Sequence, residues 1–165
     1  MKQISLLVIS IILLSCNGKA QETKKETRFP VEKTKAGWKA QLTDLEYNIL
    51  REAGTERPFS SPLNKKYDPG TYLCTACQTP LFKSENKFDS GTGWPSFDRE
   101  IAGNVAYSTD NKVGYTRVEE HCATCGGHLG HVFNDGPVKT TGKRHCINGA
   151  ALLFVPKGEK LPENE

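Results

Sequence analysis

The chain has 165 residues, 36% of them hydrophobic and 25% charged, which suits one globular domain with an extension. The formal net charge of +3 belongs to the N-terminal part. Once Lys2 and the segment from Lys19 to Lys35 are set aside, 15 basic groups face 16 acidic ones, and so nearly neutral a domain excludes nucleic acid as a partner.

Met1-Lys2-Gln3 precedes an apolar run over 4–14, broken only by Ser5 and Ser10. The run is too short to span a bilayer as a mature helix, but it fits the apolar region of a secretory signal. It ends in Leu13-Leu14-Ser15-Cys16, which resembles a bacterial lipobox. Residues 1–15 are therefore expected to be a lipoprotein signal peptide and Cys16 the acylated new N-terminus. A plain signal with an incidental cysteine is the competing reading. Two or more acyl chains anchor stably, so the expected location is a bacterial envelope membrane, facing the periplasm or exterior. Residues 16–36 are polar and poor in aromatics, as a solvated tether would be.

The folded domain is expected over 37–158, starting near Trp38, with a polar tail at 159–165. Thr43-Asp44-Leu45-Glu46 reads as a capping box, with Leu42 and Tyr47 placed as a hydrophobic staple. Leu45, Ile49, Leu50 and Ala53 then recur at helical spacing, and Gly54 is the expected stop. Beyond it, Gly and Pro punctuate short β-prone runs at 71–74, 81–83, 105–108, 113–118, 132–133 and 150–155. No βαβ rhythm is visible. The fold class expected is mainly β, with antiparallel sheets, an N-terminal helical appendage and a four-cysteine zinc site.

Cys74-Thr75-Ala76-Cys77 and Cys122-Ala123-Thr124-Cys125 are two CxxC units. Each offers two thiolates to a tetrahedral ion, and together they complete a closed set of four. Gly126-Gly127 supplies the permissive backbone that a metal knuckle needs. Redox pairs or two disulfides are the alternatives in an exported chain. A redox CxxC usually opens a helix in a βαβ setting, which neither unit has, so structural zinc is preferred. With Cys16 assigned to lipid and four cysteines to metal, Cys146 is left as a lone thiol.

In Arg144-His145-Cys146-Ile147-Asn148, an extended backbone puts Arg144, Cys146 and Asn148 on one face. A guanidinium there favours the thiolate. His128 and His131 stand at an odd offset that a regular strand would split between two faces, and a bulge or turn at Gly130 would aim both inward. Paired imidazoles are suited to proton donation near neutral pH. Trp94 lies on the Gly/Pro-rigid loop Gly91-Thr92-Gly93-Trp94-Pro95, as a core plug or a pocket wall. His121 flanks a knuckle, and His145 is expected to face away from Cys146.

Gly93-Trp94-Pro95-Ser96-Phe97, His128-Leu129-Gly130-His131-Val132-Phe133, Asp135-Gly136-Pro137 and Arg144-His145-Cys146-Ile147-Asn148, with both CxxC units in order, resemble the B-type methionine-R-sulfoxide reductases. The likeness covers the whole folded part. It implies two small antiparallel sheets, structural zinc, and Cys146 as the nucleophile. It further implies that Trp94 receives the substrate methyl group, with Phe133 on the same substrate wall. His128, His131 and Asn148 would surround the sulfoxide oxygen, and Arg144 would support the thiolate. The implied substrate is oxidised methionine in peptides or proteins, reduced by a monomer served by a thioredoxin-like or small-molecule thiol. Thr92 stands where many members carry a resolving cysteine, and His145 where an aromatic is common. The alternative function is a non-catalytic zinc-stapled β-module that binds peptides or a partner protein. A third is a thiol–disulfide exchange protein.

Overall fold

The computed structural model describes residues 28–162. The expected signal peptide, Cys16 and residues 17–27 of the expected tether lie outside the described residues, as do 163–165 of the tail.

Two short helices open the domain. In α1 (Lys35–Gln41), Thr34 caps the start by accepting the Gly37 N–H, and Trp38 is the buried side chain. A guanidinium from the next helix, Arg51, lies 4.4 Å from the Trp38 ring centroid. One buried side chain in seven residues carries no periodic signal, so the sequence suggests only the second helix. That helix, α2 (Asp44–Glu52), carries the expected capping box: Thr43 accepts from the Glu46 N–H, and the Glu46 carboxylate accepts from the Thr43 N–H. Its buried face is Tyr47, Ile49 and Leu50, while Leu45 is exposed. The left-handed cap is Ala53 (φ 52°), one residue before Gly54. Gly54 is needed for close approach instead, because a Cβ there would collide with the Asn48 side chain.

The remainder is two antiparallel sheets. Strands β1 (Gly70–Cys74), β2 (Pro80–Lys83) and β9 (Leu152–Pro156) form the smaller, in the order β2-β1-β9. The larger contains β3 (Lys87–Phe88), β4 (Ser96–Phe97), β5 (Val105–Asp110), β6 (Arg117–Cys122), β7 (His128–Phe133) and β8 (Arg144–Ile147). Its order is β3-β4-β8-β7-β6-β5, which leaves β7 and β8 in the middle. Aromatic packing joins the sheets: Phe82 stacks on Phe97 at 4.4 Å between centroids, and Tyr72 meets Phe97 edge-on at 5.0 Å. Ile49 and Leu50 of α2 belong to the same buried cluster as Leu129 and Ile147 of the larger sheet.

Three expectations change. The run expected over 113–118 is mostly the β5–β6 turn, where Gly114 takes φ 85° and Asn111 holds Thr116 through its side chain, so Val113 and Tyr115 stand exposed. The strand itself starts at Arg117. Residues 149–151 form a 3-10 turn before β9. Finally, the chain lies against the domain well before Trp38: the Val31 N–H donates to the Thr124 carbonyl, and the Phe29 ring meets His121 edge-on and presses on Gly126. A few apolar side chains within a charged segment suffice to hold it.

Candidate active site and metal centre

The two knuckles share one backbone pattern. After Cys74, the Gln78 N–H returns to the Cys74 carbonyl; after Cys122, the Gly126 N–H returns to the Cys122 carbonyl. Gln78 (φ 60°) and Gly126 (φ 68°) occupy equivalent left-handed positions. Gly126 cannot gain a side chain without striking Phe29. The fold brings the knuckles together because β1 carries one and the β6–β7 connection the other. All four sulfurs lie within 4.8 Å of one another, with Cys74–Cys125 at 3.8 Å and Cys77–Cys122 at 3.5 Å. These separations are too long for disulfides and match the roughly 3.8 Å between sulfurs bound tetrahedrally to one zinc ion. Arg51 donates to the Cys125 carbonyl and lies 3.5 Å from its sulfur, so a cation offsets part of the thiolate charge. The residues fit structural zinc, which four protein ligands would leave with no open position for chemistry.

Cys146 lies on the central strand β8, flanked by Ser96 of β4 and His131 of β7. The histidine question is settled by a bulge. Glu120 pairs with Gly130 and His121 with His128, so Leu129 is the extra residue. It turns His128 back onto the face of His131, with the rings 5.4 Å apart. The bulge thus falls one residue before the expected Gly130. Gly130 has another task, since a Cβ there would run into the Cys146 carbonyl oxygen. The bulge also frees the Leu129 carbonyl, which accepts from both the backbone N–H and the side-chain amide of Asn148.

A hollow of about 120 Å³ opens at Cys146, walled by Trp94, Phe133, His131, Asn148, Thr55 and Arg117. Of the expected residues, Cys146, Trp94, Phe133, His131 and Asn148 meet here. His128 meets His131 edge-on but does not line the hollow. Arg144 also stays outside the wall: its guanidinium lies 4.3 Å from the Phe133 ring centroid and forks onto Asp135 with two 2.8 Å bonds. His145 faces the other side of the sheet, as expected, where it bonds buried Glu120 at 2.6 Å.

Burial pushes the Cys146 thiol above the ordinary thiol value, against the Thr92 hydroxyl and the Arg144 charge, which pull it down. Burial lowers both His128 and His131, although each holds a carboxylate: His128 Nδ1 lies 2.6 Å from Glu119 and His131 Nε2 lies 2.8 Å from Asp110. Asp110 is kept far below the usual carboxylate range by the Lys112 N–H first, then by His131 and Arg117. It therefore stays ionised and accepts a hydrogen bond from the His131 Nε2–H, which leaves Nδ1 as the free ring nitrogen. A protonated thiol and neutral imidazoles are the resting state at neutral pH.

Several contributing residues escape sequence reading. Asp110 and Glu119 orient the histidines, and Arg117 adds a cation to the wall. The strand expected over 113–118 stops short of Glu119 and misplaces the turn, which hides these pairings. Glu56 is less accessible still to such reading. Its carboxylate accepts the Gly149 and Ala150 N–H groups, its N–H donates to Asn148 Oδ1, and its carbonyl accepts Trp94 Nε1. One buried residue thereby ties two pocket walls to the turn after the nucleophile strand. Contacts spanning more than ninety residues leave no local trace.

The chain can be set against known proteins. It is 51% identical over 127 residues to the peptide methionine sulfoxide reductase MsrB of Agrobacterium fabrum, covering 76% of this chain and 93% of that one. The protein of the same name from Leptospira interrogans is 50% identical over 127 residues, covering 76% and 96%. The mouse methionine-R-sulfoxide reductase B3, mitochondrial, is 51% identical over 116 residues, covering 70% of this chain and 46% of its own. The family model described as the SelR domain matches residues 42–156, which hold both knuckles, Trp94, the two histidines and Cys146, and the chain belongs to that family.

Proposed function

We propose that this protein reduces the R epimer of methionine sulfoxide in peptides or proteins to methionine, with Cys146 as the nucleophile. One observation carries the reading. Among the described residues, the one thiol outside the metal cluster opens into a small hollow with aromatic walls and a carboxylate-held imidazole opposite. The hollow suits a thioether side chain and little more.

Sulfoxide sulfur is electrophilic, but its oxygen leaves poorly unless protonated. The Cys146 thiol supplies both partners of the reaction: its sulfur attacks the sulfoxide sulfur, and its proton passes through His131 to the oxygen. Asp110 stabilises the imidazolium that forms in between. The oxygen then transfers to Cys146, methionine departs, and Cys146 remains as a sulfenic acid. The sulfoxide has gained two electrons and Cys146 has lost two. An external dithiol restores it: one thiolate attacks the sulfenic sulfur, water leaves, and the second thiol breaks the mixed disulfide. Arg144, held by Asp135, favours the thiolate as it forms. With the methyl group against Trp94 and the oxygen towards His131, one handedness at sulfur fits.

The decisive assay supplies resolved R and S sulfoxides with a generic dithiol. R turnover without S turnover is expected, with a loss of at least about a thousandfold in Cys146→Ser. Turnover of the S epimer, or an active Cys146→Ser enzyme, refutes the reading. The relatives' names do not favour the binding-module alternative.

We also propose, from residues 1–16 alone, that the protein is a lipoprotein anchored through Cys16 to an envelope membrane. Palmitate labelling that disappears in Cys16→Ala supports it, and equal labelling of both chains refutes it.

A further inference from the structure

Arg57-Pro58-Phe59-Ser60 is a tight turn, closed by the Ser60 N–H and the Ser60 hydroxyl, both donating to the Arg57 carbonyl. Pro58 at its second position is ordinary. Phe59 at its third is not: its φ of 63° lies in the left-handed region, where turns take glycine or asparagine and a bulky side chain is an outlier. The ring gains little from burial in return, since Phe59 is 65% exposed. A residue that strains the backbone and leaves its apolar ring in water weakens the fold at both levels. Such outliers point towards function.

The position of the turn says which function. The Phe59 N–H donates to the Gly93 carbonyl at 2.7 Å. The ring rests on Gly93, where φ is 94° and a Cβ would come within 2.9 Å of it. Gly93 is followed by Trp94, whose indole N–H is held by the Glu56 carbonyl, and Thr55 lines the hollow at Cys146. The strained turn is therefore bolted at two points to the loop that walls the hollow, and it sets an exposed ring beside the residue that precedes Trp94. The hollow accepts one side chain, so whatever touches Phe59 lies on a residue beside it in the same polypeptide.

We infer that Phe59 is a recognition surface for apolar residues flanking the oxidised methionine, so that the favoured substrates are methionines with apolar neighbours. The inference rests on the reductase reading above and deepens it. A flanking leucine covers part of the ring and sheds water, whereas a flanking serine gains nothing there.

The test compares two five-residue peptides, each with a central methionine R-sulfoxide, one flanked by leucines and the other by serines. A capped single-residue R-sulfoxide is the reference substrate. The readout is the ratio of kcat/KM between the two peptides, in which any general change in the site cancels. The wild type is expected to favour the leucine peptide by about tenfold. In Phe59→Gly, which suits the positive φ, the ratio should fall to within about twofold of unity while the melting temperature holds or rises. Phe59→Asn, which also tolerates that backbone, should behave alike, and Phe59→Trp should keep the preference. Equal rates on both peptides in the wild type, or an unchanged ratio in Phe59→Gly and Phe59→Asn, overturn the inference alone. No turnover of the capped substrate by the wild type overturns the reductase reading and this inference with it.

Discussion

The Thr92 hydroxyl lies 3.9 Å from the Cys146 sulfur. It is also bonded to Ser90, which in turn bonds Ser96. A second thiol at 92 would stand within reach of oxidised Cys146, whereas the threonine hydroxyl offers a hydrogen bond and cannot form a disulfide. After substrate alone, the unmutated enzyme is expected to hold Cys146 as a sulfenic acid that a dimedone-type reagent traps. In Thr92→Cys, mass spectrometry should find the introduced thiol joined to Cys146 as a disulfide, and no trapped adduct. An internal disulfide in the unmutated enzyme would show that a metal-site cysteine is released to do the resolving.

The four-sulfur cluster brings the end of β1 against the β6–β7 connection. One zinc per chain is expected by metal analysis. A structural zinc supplies about 10–16 kcal/mol in small zinc peptides, comparable to the whole stability of an ordinary domain. Cys74→Ser or Cys122→Ser should therefore unfold the protein or lower its melting temperature sharply. Full stability after chelation would contradict the structural role.

Glu56→Gln tests the residue that links Trp94, Asn148 and the turn after β8. The carboxylate accepts two backbone N–H groups, and an amide can accept only one while pointing its own NH2 at the other. A buried donor left unpaired costs about 1–3 kcal/mol. Denaturant unfolding should register that loss, and kcat/KM should fall with it as the two walls loosen. An unaffected denaturation midpoint would rule out this linkage.

The histidines give stability a pH dependence with a definite sign. Burial lowers His128 and His131 in the folded state, so between the folded and unfolded values the unfolded chain binds more protons. Their contribution is complete above about pH 6.5, the ordinary histidine value. It is lost as pH falls through the lowered folded values. The melting temperature should be flat above neutrality and decline below about pH 6.5, with a shallower decline in the His128→Gln/His131→Gln double variant. A steeper decline in that variant would reverse the assignment.

What could be read from the sequence follows the range of each interaction. The capping box of α2 and the two knuckles are local patterns, and the structure keeps them. The fold class was also legible, because closely spaced glycines and prolines around short β-prone runs leave little else. Trp94, His131 and Cys146 were recognisable as a set only through resemblance, since they come from three separate segments. The Asp110–His131 and Glu56–Asn148 pairings were hidden, because each depends on a register or a turn that no local window contains. Tyr115 and Val113 misled for the opposite reason: their β propensity is real, but Gly114 and Asn111 bend the chain first.

The extra residue at Leu129 has a consequence for how this chain tolerates change in length. A strand presents its side chains in alternating phase, and the bulge resets that phase by one step between His128 and His131. Deleting Leu129 would leave every residue type in the site present, and the ladder more regular than before. The two histidines would keep their shared face, because His128 would still stand opposite His121, but the carbonyl that holds Asn148 and the buried Leu129 side chain would both be lost. For this strand the count of residues is itself functional information, as much as the identity of any one of them.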